Sequence, residues 1–269
     1  MKKFLLLLLS VILTGQFVYA APPIDISYSD GIYHIILKGD KIKKRIQFMA
    51  SESLITNREA HNKSQARLTV NAGFFDPNNQ KSISYIINDR TTSEDPMFNE
   101  NLTSNPILRR NLDKIMNRTE FRVVECDSDR RLYYEIAPHK SSVEFGCVVR
   151  TAAQGGPLIY PELKMEEEAF IIKNKDGEII HESASVLHKT ARTIIGIKGT
   201  DEAHILIFTD EHPADLYDVQ AYVKKLGLDR AMAFDGGSST SMNYLNKYEV
   251  VSTKGDGGGR SLKSFMLVY

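Results

Sequence analysis

The stretch Ala231-Met232-Ala233-Phe234-Asp235-Gly236-Gly237-Ser238-Ser239-Thr240-Ser241-Met242 decides the reading of the fold. A short apolar run stops abruptly at Asp235. Two glycines follow, then four hydroxyl residues. The apolar run reads as a buried strand, and Gly-Gly marks a sharp turn that has no Cβ to obstruct it. Upstream, His204–Phe208 is a nearly continuous apolar run of the kind buried on both faces of a sheet. Between the two runs, residues 215–226 carry Leu216, Val219, Val223 and Leu226 at helical spacing, with Asp215 as a cap and Gly227 as a stop. Strand, helix, strand predicts a crossover unit with Asp235 at its carboxyl end, where α/β units place ligands. A carboxylate held there beside backbone N–H groups and hydroxyls suits acid/base chemistry on a polar, anionic ligand. The same residues also suit a plain tight turn.

Further strands are expected at Ile32–Leu37 and Ile42–Phe48, paired as a hairpin around Gly39-Asp40. Others are expected at Arg67–Val70, Phe121–Val124, Leu132–Ile136, Val143–Val149, Arg192–Ile197 and Ser261–Tyr269. Residues 81–117 are polar and poorly periodic, so they read as surface loops around a site. Most strands have no helix between them. The fold class is therefore α+β, a large mixed β-sheet with a few helices.

Residues 1–20 read as a signal peptide. Lys2 and Lys3 are followed by the apolar Phe4–Leu13 and then by Val18-Tyr19-Ala20. The apolar run is short for a membrane span, so no stable membrane anchor is expected. Residues 21–269 then form one domain in a secreted or periplasmic protein. The chain has 34 basic and 34 acidic residues, and losing Lys2 and Lys3 leaves 32 against 34. That balance argues against nucleic acid as a partner. Two cysteines, Cys126 and Cys147, sit by expected strands, and in an oxidising compartment they predict a disulfide.

Five short motifs fall at strand ends: Asn71-Ala72-Gly73-Phe74-Phe75, Gln154-Gly155-Gly156-Pro157, Ala191-Arg192-Thr193, Phe234-Asp235-Gly236-Gly237-Ser238-Ser239-Thr240 and Gly259-Arg260-Ser261. In order and spacing they resemble the phosphodiester glycosidase family over roughly residues 65–269. Two departures stand out. Ser238 follows the Gly-Gly where many relatives have a third Gly or an Arg, and Ser261-Leu262-Lys263 replaces a Pro-containing pattern after Arg260.

The resemblance implies hydrolysis of a sugar 1-phosphodiester in an envelope or extracellular glycan. The alternative is a non-catalytic protein that binds phosphorylated glycans. Asp235 is the first candidate carboxylate, and Asp210 is a partner or else a turn residue. Arg192 and Arg260 suit bidentate phosphate binding, although either could be an ordinary ion-paired arginine. The N–H groups of Gly236, Gly237 and Ser238 suit an anion nest. Asn71, Phe74 and Gly156 complete the expected substrate contacts, while His188 is a weaker candidate. No cofactor is demanded. Asp210, Asp235 and Asp256 could share a divalent cation such as Ca²⁺, although no ligand spacing requires one. Gly-x-Ser-x-Gly is absent around Ser239, which argues against a serine hydrolase. The run Gly255–Arg260 lacks the Gly-Lys-Ser/Thr ending of a phosphate-binding P-loop.

The leader-like order of residues 1–20 predicts cleavage near Ala20. N-terminal sequencing of protein recovered from the envelope or the medium should begin near Ala21.

Overall fold

The computed structural model describes residues 24–183, 185–252 and 259–269. The expected signal peptide, Asp256 and most of the 255–260 run lie outside them. Strand accounts for 43% of the described residues and helix for 17%, which places the chain in the expected α+β class.

The strands fall into three main sheets. The first runs in the order Asp25–Ser29, Ile32–Lys38, Glu202–Phe208, Arg192–Lys198, Arg230–Ala233, Leu158–Tyr160. The second runs Tyr248–Val251, Ser241–Tyr244, Leu68–Asn71, Leu262–Val268, Ile46–Ile55. The third runs Thr91–Glu94, Ile86–Asn88, Cys147–Gln154, Thr119–Cys126, Leu132–Pro138. A small ribbon pairs Ile171–Lys173 with Ile179–Glu182.

One apolar core joins the three sheets. Ile35 and Ile205 enter it from the first, Phe48 and Met266 from the second, Phe121 and Tyr134 from the third. The first sheet is buried on its other face too. Ile194, Leu206 and Phe208 pack there against Leu216, Val219 and Val223 of the helix Leu216–Lys225. This two-sided burial explains why Glu202–Phe208 is apolar at nearly every position rather than at alternate ones. Asp215 caps the helix, accepting from Tyr217 N at 3.0 Å and Asp218 N at 2.8 Å. The expected crossover is present. Glu202–Phe208 and Arg230–Ala233 both run antiparallel to Arg192–Lys198, so they are parallel to each other with that strand between them.

The expected hairpin at Gly39-Asp40 does not form. Ile32–Lys38 pairs with Asp25–Ser29 and Glu202–Phe208, while Ile46–Ile55 pairs with Leu262–Val268 in another sheet. The cause is the helical turn Asp40–Lys43. It buries Ile42 in the core and turns Lys43 inward, where its ammonium donates to Leu132 O at 3.0 Å and pairs with Asp201. That buried anchor redirects the chain from one sheet to the next.

Residues 81–117 are more ordered than expected. They hold the strands Ile86–Asn88 and Thr91–Glu94, then the short helices Glu100–Ser104, Pro106–Arg109 and Leu112–Ile115. The strand expected at Val143–Val149 begins later, at Cys147, because the chain turns at Gly146 with φ +77°.

Cys126 and Cys147 lie directly opposite each other in the third sheet and form the expected disulfide, with Cα atoms 3.9 Å apart. The bond joins positions 21 residues apart, and constraining that loop in the unfolded chain is worth about 3 kcal/mol in the chain-entropy model. Reduction, or a Cys126→Ala/Cys147→Ala variant, should therefore lower the thermal midpoint by roughly 6–12 °C. Calorimetry with and without reductant checks this.

Candidate active site

The site is assembled where the first and second sheets meet. The strand Arg230–Ala233 ends with Phe234 N donating to Thr193 O at 2.8 Å. Asp235 follows, and its backbone is held at both ends. Its N–H donates to Ala72 O at 2.9 Å, and its C=O accepts from the Asn71 side-chain amide at 2.6 Å. Asn71 is 1% exposed. Its carbonyl oxygen also accepts from Thr193 Oγ1 at 2.7 Å and Ser241 N at 2.9 Å. These bonds engage the amide oxygen twice and the amide nitrogen once. Asn71 therefore positions Asp235 within the protein interior, where the sequence led to the expectation of a substrate contact.

Gly237 has φ +60°, a conformation that L side chains adopt rarely, and its N–H donates to Ala191 O at 2.8 Å. The Gly236 N–H and the Ser239 hydroxyl bond to the Asp235 carboxylate. Two members of the expected N–H nest, Gly236 and Gly237, thus have partners inside the protein.

Burial pushes the Asp235 carboxyl up to about 6. The Ser239 hydroxyl, the Arg260 charge, the Gly236 N–H and the Arg192 charge all pull the other way, and burial outweighs them. The group is therefore poised to change protonation near neutral pH.

Asp235 and Arg260 open on a cavity of about 330 Å³. Arg260 Nη1 donates to Ser238 Oγ at 3.2 Å and Ser239 Oγ at 3.4 Å, and its guanidinium lies 5.0 Å from the centre of the Phe75 ring. Phe74, an expected contact, also lines the cavity, with its ring 5.4 Å from that of Phe170. His181, Glu182 and Ser183 form a polar wall at the end of the small ribbon. His181 Nε2 and Ser183 Oγ are 2.7 Å apart. Burial, then the Arg118 charge, lowers the His181 imidazole below its ordinary value, so it is neutral at pH 7. Glu182 accepts from Leu187 N at 3.1 Å and lies 3.5 Å from the exposed His188 ring.

Other expected residues have different surroundings. Arg192 is 3% exposed. Its guanidinium donates to the carbonyls of Ala214 (3.0 Å), Ser185 (2.8 Å) and His188 (2.5 Å). Burial lowers it to about 10, opposed by the charges of Asp215, Glu182 and Asp235. It supplies a fixed positive charge behind the two cavity carboxylates. A Cβ on Gly156 would lie 2.4 Å from a Glu168 carboxylate oxygen, so this glycine serves close packing.

Asp210 lies in a different cleft, with Tyr28, Tyr33 and Glu249, and accepts from Ser252 Oγ at 3.2 Å. The strand Arg192–Lys198 separates its strand from that of Asp235, which sets the two strand ends about 10 Å apart. Asp210 and Asp235 line two different clefts among the described residues. Among the described residues, Cys126, Glu144 and Cys147 form the one group of donors close enough to hold a metal, and its sulfurs are bonded to each other.

Asp235, Arg260 and Phe74 line one cavity, and a family model matches residues 64–269 as phosphodiester glycosidase. The chain belongs to the phosphodiester glycosidase family. No curated protein sequence matches it. Solved structures share the fold at low identity. The catalytic domain of zebrafish N-acetylglucosamine-1-phosphodiester α-N-acetylglucosaminidase, auto-inhibited by its pro-peptide, matches with TM-score 0.62 and 12% identity over 91% of this chain and 81% of that one. A hypothetical protein from Synechocystis matches with TM-score 0.58 and 12% identity over 93% of this chain and 64% of that one. A candidate exported protein of Burkholderia pseudomallei matches with TM-score 0.55 and 10% identity over 88% of this chain and 73% of that one.

The raised Asp235 carboxyl has a cost in stability with a definite sign. A folded-state value above the ordinary 3.8 leaves stability unaffected below about pH 4 and lowers it as pH rises to about 6. Asp235→Asn should therefore be more stable than the wild type at pH 8, by about 1–3 kcal/mol, with the difference closing at pH 4. Urea unfolding at the two pH values measures it.

Proposed function

We propose that this protein is an exported hydrolase that cleaves a sugar 1-phosphodiester, with Asp235 as the catalytic carboxylate and Arg260 as the phosphate-binding residue. The observation that carries the reading is the placement of a carboxyl raised to about 6 and a guanidinium on one cavity. Family membership supports the reaction class. The zebrafish relative acts on an N-acetylglucosamine 1-phosphodiester, which supports the linkage. The disulfide and the leader-like residues 1–20 support export.

In this mechanism Arg260 grips a phosphate oxygen of the diester. Water attacks the anomeric carbon and loses its proton to ionised Asp235. The bond from that carbon to the phosphate oxygen breaks, and its electron pair leaves with the phosphomonoester. Phosphate is a good leaving group, so little acid assistance is needed. Glu182, on the polar wall, adds negative charge near the oxocarbenium-like centre. Arg192 holds the backbone around both carboxylates.

The test is turnover of a panel of sugar 1-phosphodiesters by the purified mature protein. The wild type should show an acid limb in kcat/KM centred near pH 6, because the base must be ionised. Asp235→Asn should lose that limb and about 10²–10⁴ in kcat while still binding. Arg260→Ala should raise KM by about 10–100-fold for charged substrates and leave neutral glycosides little changed. A wild type that binds the diesters but turns none over would mark a binding protein instead.

A further inference from the structure

The cavity has two chemically different halves. Asp235, Arg260, Glu182, His181 and Ser183 line one half. The other is a cap of Ile83, Leu102, Leu108 and Ile115, which pack as one apolar cluster, and Arg118 stacked on Phe170 completes the lining with Phe74, Phe75 and Pro77. We propose that this apolar half seats the alcohol beyond the phosphate, and that the alcohol is aliphatic, so the substrate is an alkyl-linked or lipid-linked sugar phosphate. The proposal rests on the reading of the cavity as a sugar 1-phosphodiester site.

The cap is built from the helices Glu100–Ser104, Pro106–Arg109 and Leu112–Ile115. Helices this short have little stability alone. Side chains hold their starts. Asn99 Oδ1 accepts from Leu102 N at 3.2 Å, and Asn105 Oδ1 accepts from Ile107 N at 2.9 Å and Leu108 N at 3.1 Å. Leu102 and Ile115 root the cap by packing with Ala169 and Ile172. Ile83 and Leu108 are only half-buried, so they present aliphatic surface to whatever enters. Ile83, Leu102 and Leu108 also border a second cleft of about 470 Å³ on the side of Asp76 and Asn101. These three side chains border both clefts, and the second is otherwise lined mainly by the polar Asp76, Asn78, Asn101, Ser104 and Asn105.

The ligand halves can be assigned by hydrogen bonding. Sugar hydroxyls turned toward Ile83, Leu102, Leu108 and Ile115 would lose water without gaining a partner. The polar wall at His181, Glu182 and Ser183 offers partners, so the sugar belongs there. Arg260 fixes the phosphate. What remains beyond the phosphate meets the aliphatic cluster, where each buried methylene is worth about fourfold in affinity, while two Arg118 N–H groups are already bonded to the Glu168 and Ala169 carbonyls.

Calorimetric titration with phosphomonoesters, the product side of the reaction, tests this without turnover. Ethyl, butyl and hexyl phosphate are compared with glycerol 1-phosphate. Affinity should rise at least tenfold from ethyl to hexyl phosphate, with glycerol 1-phosphate no tighter than ethyl. The gain should fall below threefold in Leu108→Ser and Ile83→Ser and persist in Leu108→Met, which keeps the volume and shows that the site still folds. Arg260→Ala should weaken every member of the series alike.

Hexyl phosphate binding no tighter than glycerol 1-phosphate would overturn the proposal. So would a length dependence untouched by both serine variants. If either occurred while sugar 1-phosphodiesters were still hydrolysed, only the aliphatic alcohol would fall. If no phosphomonoester bound and no diester were cleaved, the parent reading would fall with it.

Discussion

The site depends on one buried amide. Asn71 ends a strand of the second sheet, and its side chain bonds the Asp235 carbonyl, the Thr193 hydroxyl and the Ser241 N–H. Asp235 and Thr193 belong to the first sheet and its exit, whereas Ser241 begins a strand of the second. The amide therefore ties two sheets together at the point where the carboxylate emerges. A buried donor or acceptor left without its partner costs about 1–3 kcal/mol. The sheets cannot separate or slide here without leaving several such groups unpaired. That constraint fixes where Asp235 stands relative to Phe74, Phe75 and Arg260.

Two arginines of similar promise take opposite roles because of where their chains leave the sheets. Arg192 begins an interior strand, and the carbonyls of Ser185 and His188 accept from its guanidinium. Arg260 precedes the strand Leu262–Val268 and remains half-buried at the cavity. A guanidinium bound to carbonyls orders backbone and supplies charge. One beside two hydroxyls at an opening can exchange those contacts for phosphate oxygens. The electrostatics agree with this division, since both positive charges lower the Asp235 carboxyl and burial still leaves it near 6.

Burial raises the Asp235 carboxyl, and the apolar cap lines the same cavity. Ile83, Leu102 and Leu108 close one side of the cavity with hydrocarbon, and Phe170 forms part of its wall. Arg118 is held against the Phe170 ring at 3.8 Å by the carbonyls of Glu168 and Ala169.

Periodicity and local chemistry sufficed for the crossover at residues 202–235. A strand buried on both faces, an Asp-capped amphipathic helix and a Gly-Gly turn each write their constraint into neighbouring residues. The cysteines were legible for the same reason, because in an oxidising compartment a pair on two adjacent strands has few other fates. The motif order also grouped Asp235, Arg260 and Phe74, which line one cavity. What the sequence could not contain was partnership across the fold. Asn71 looked like a ligand contact until two sheets closed over its amide. Asp210 looked like a neighbour of Asp235, whereas it follows a strand one removed in the sheet and lines a cleft with Tyr28, Tyr33 and Glu249. His181, Glu182 and Ser183 carried no local signal, and the 40–43 turn read as the middle of a hairpin. Each of these outcomes depends on which distant group arrives to bond or cover a side chain, and only the packed tertiary structure decides that.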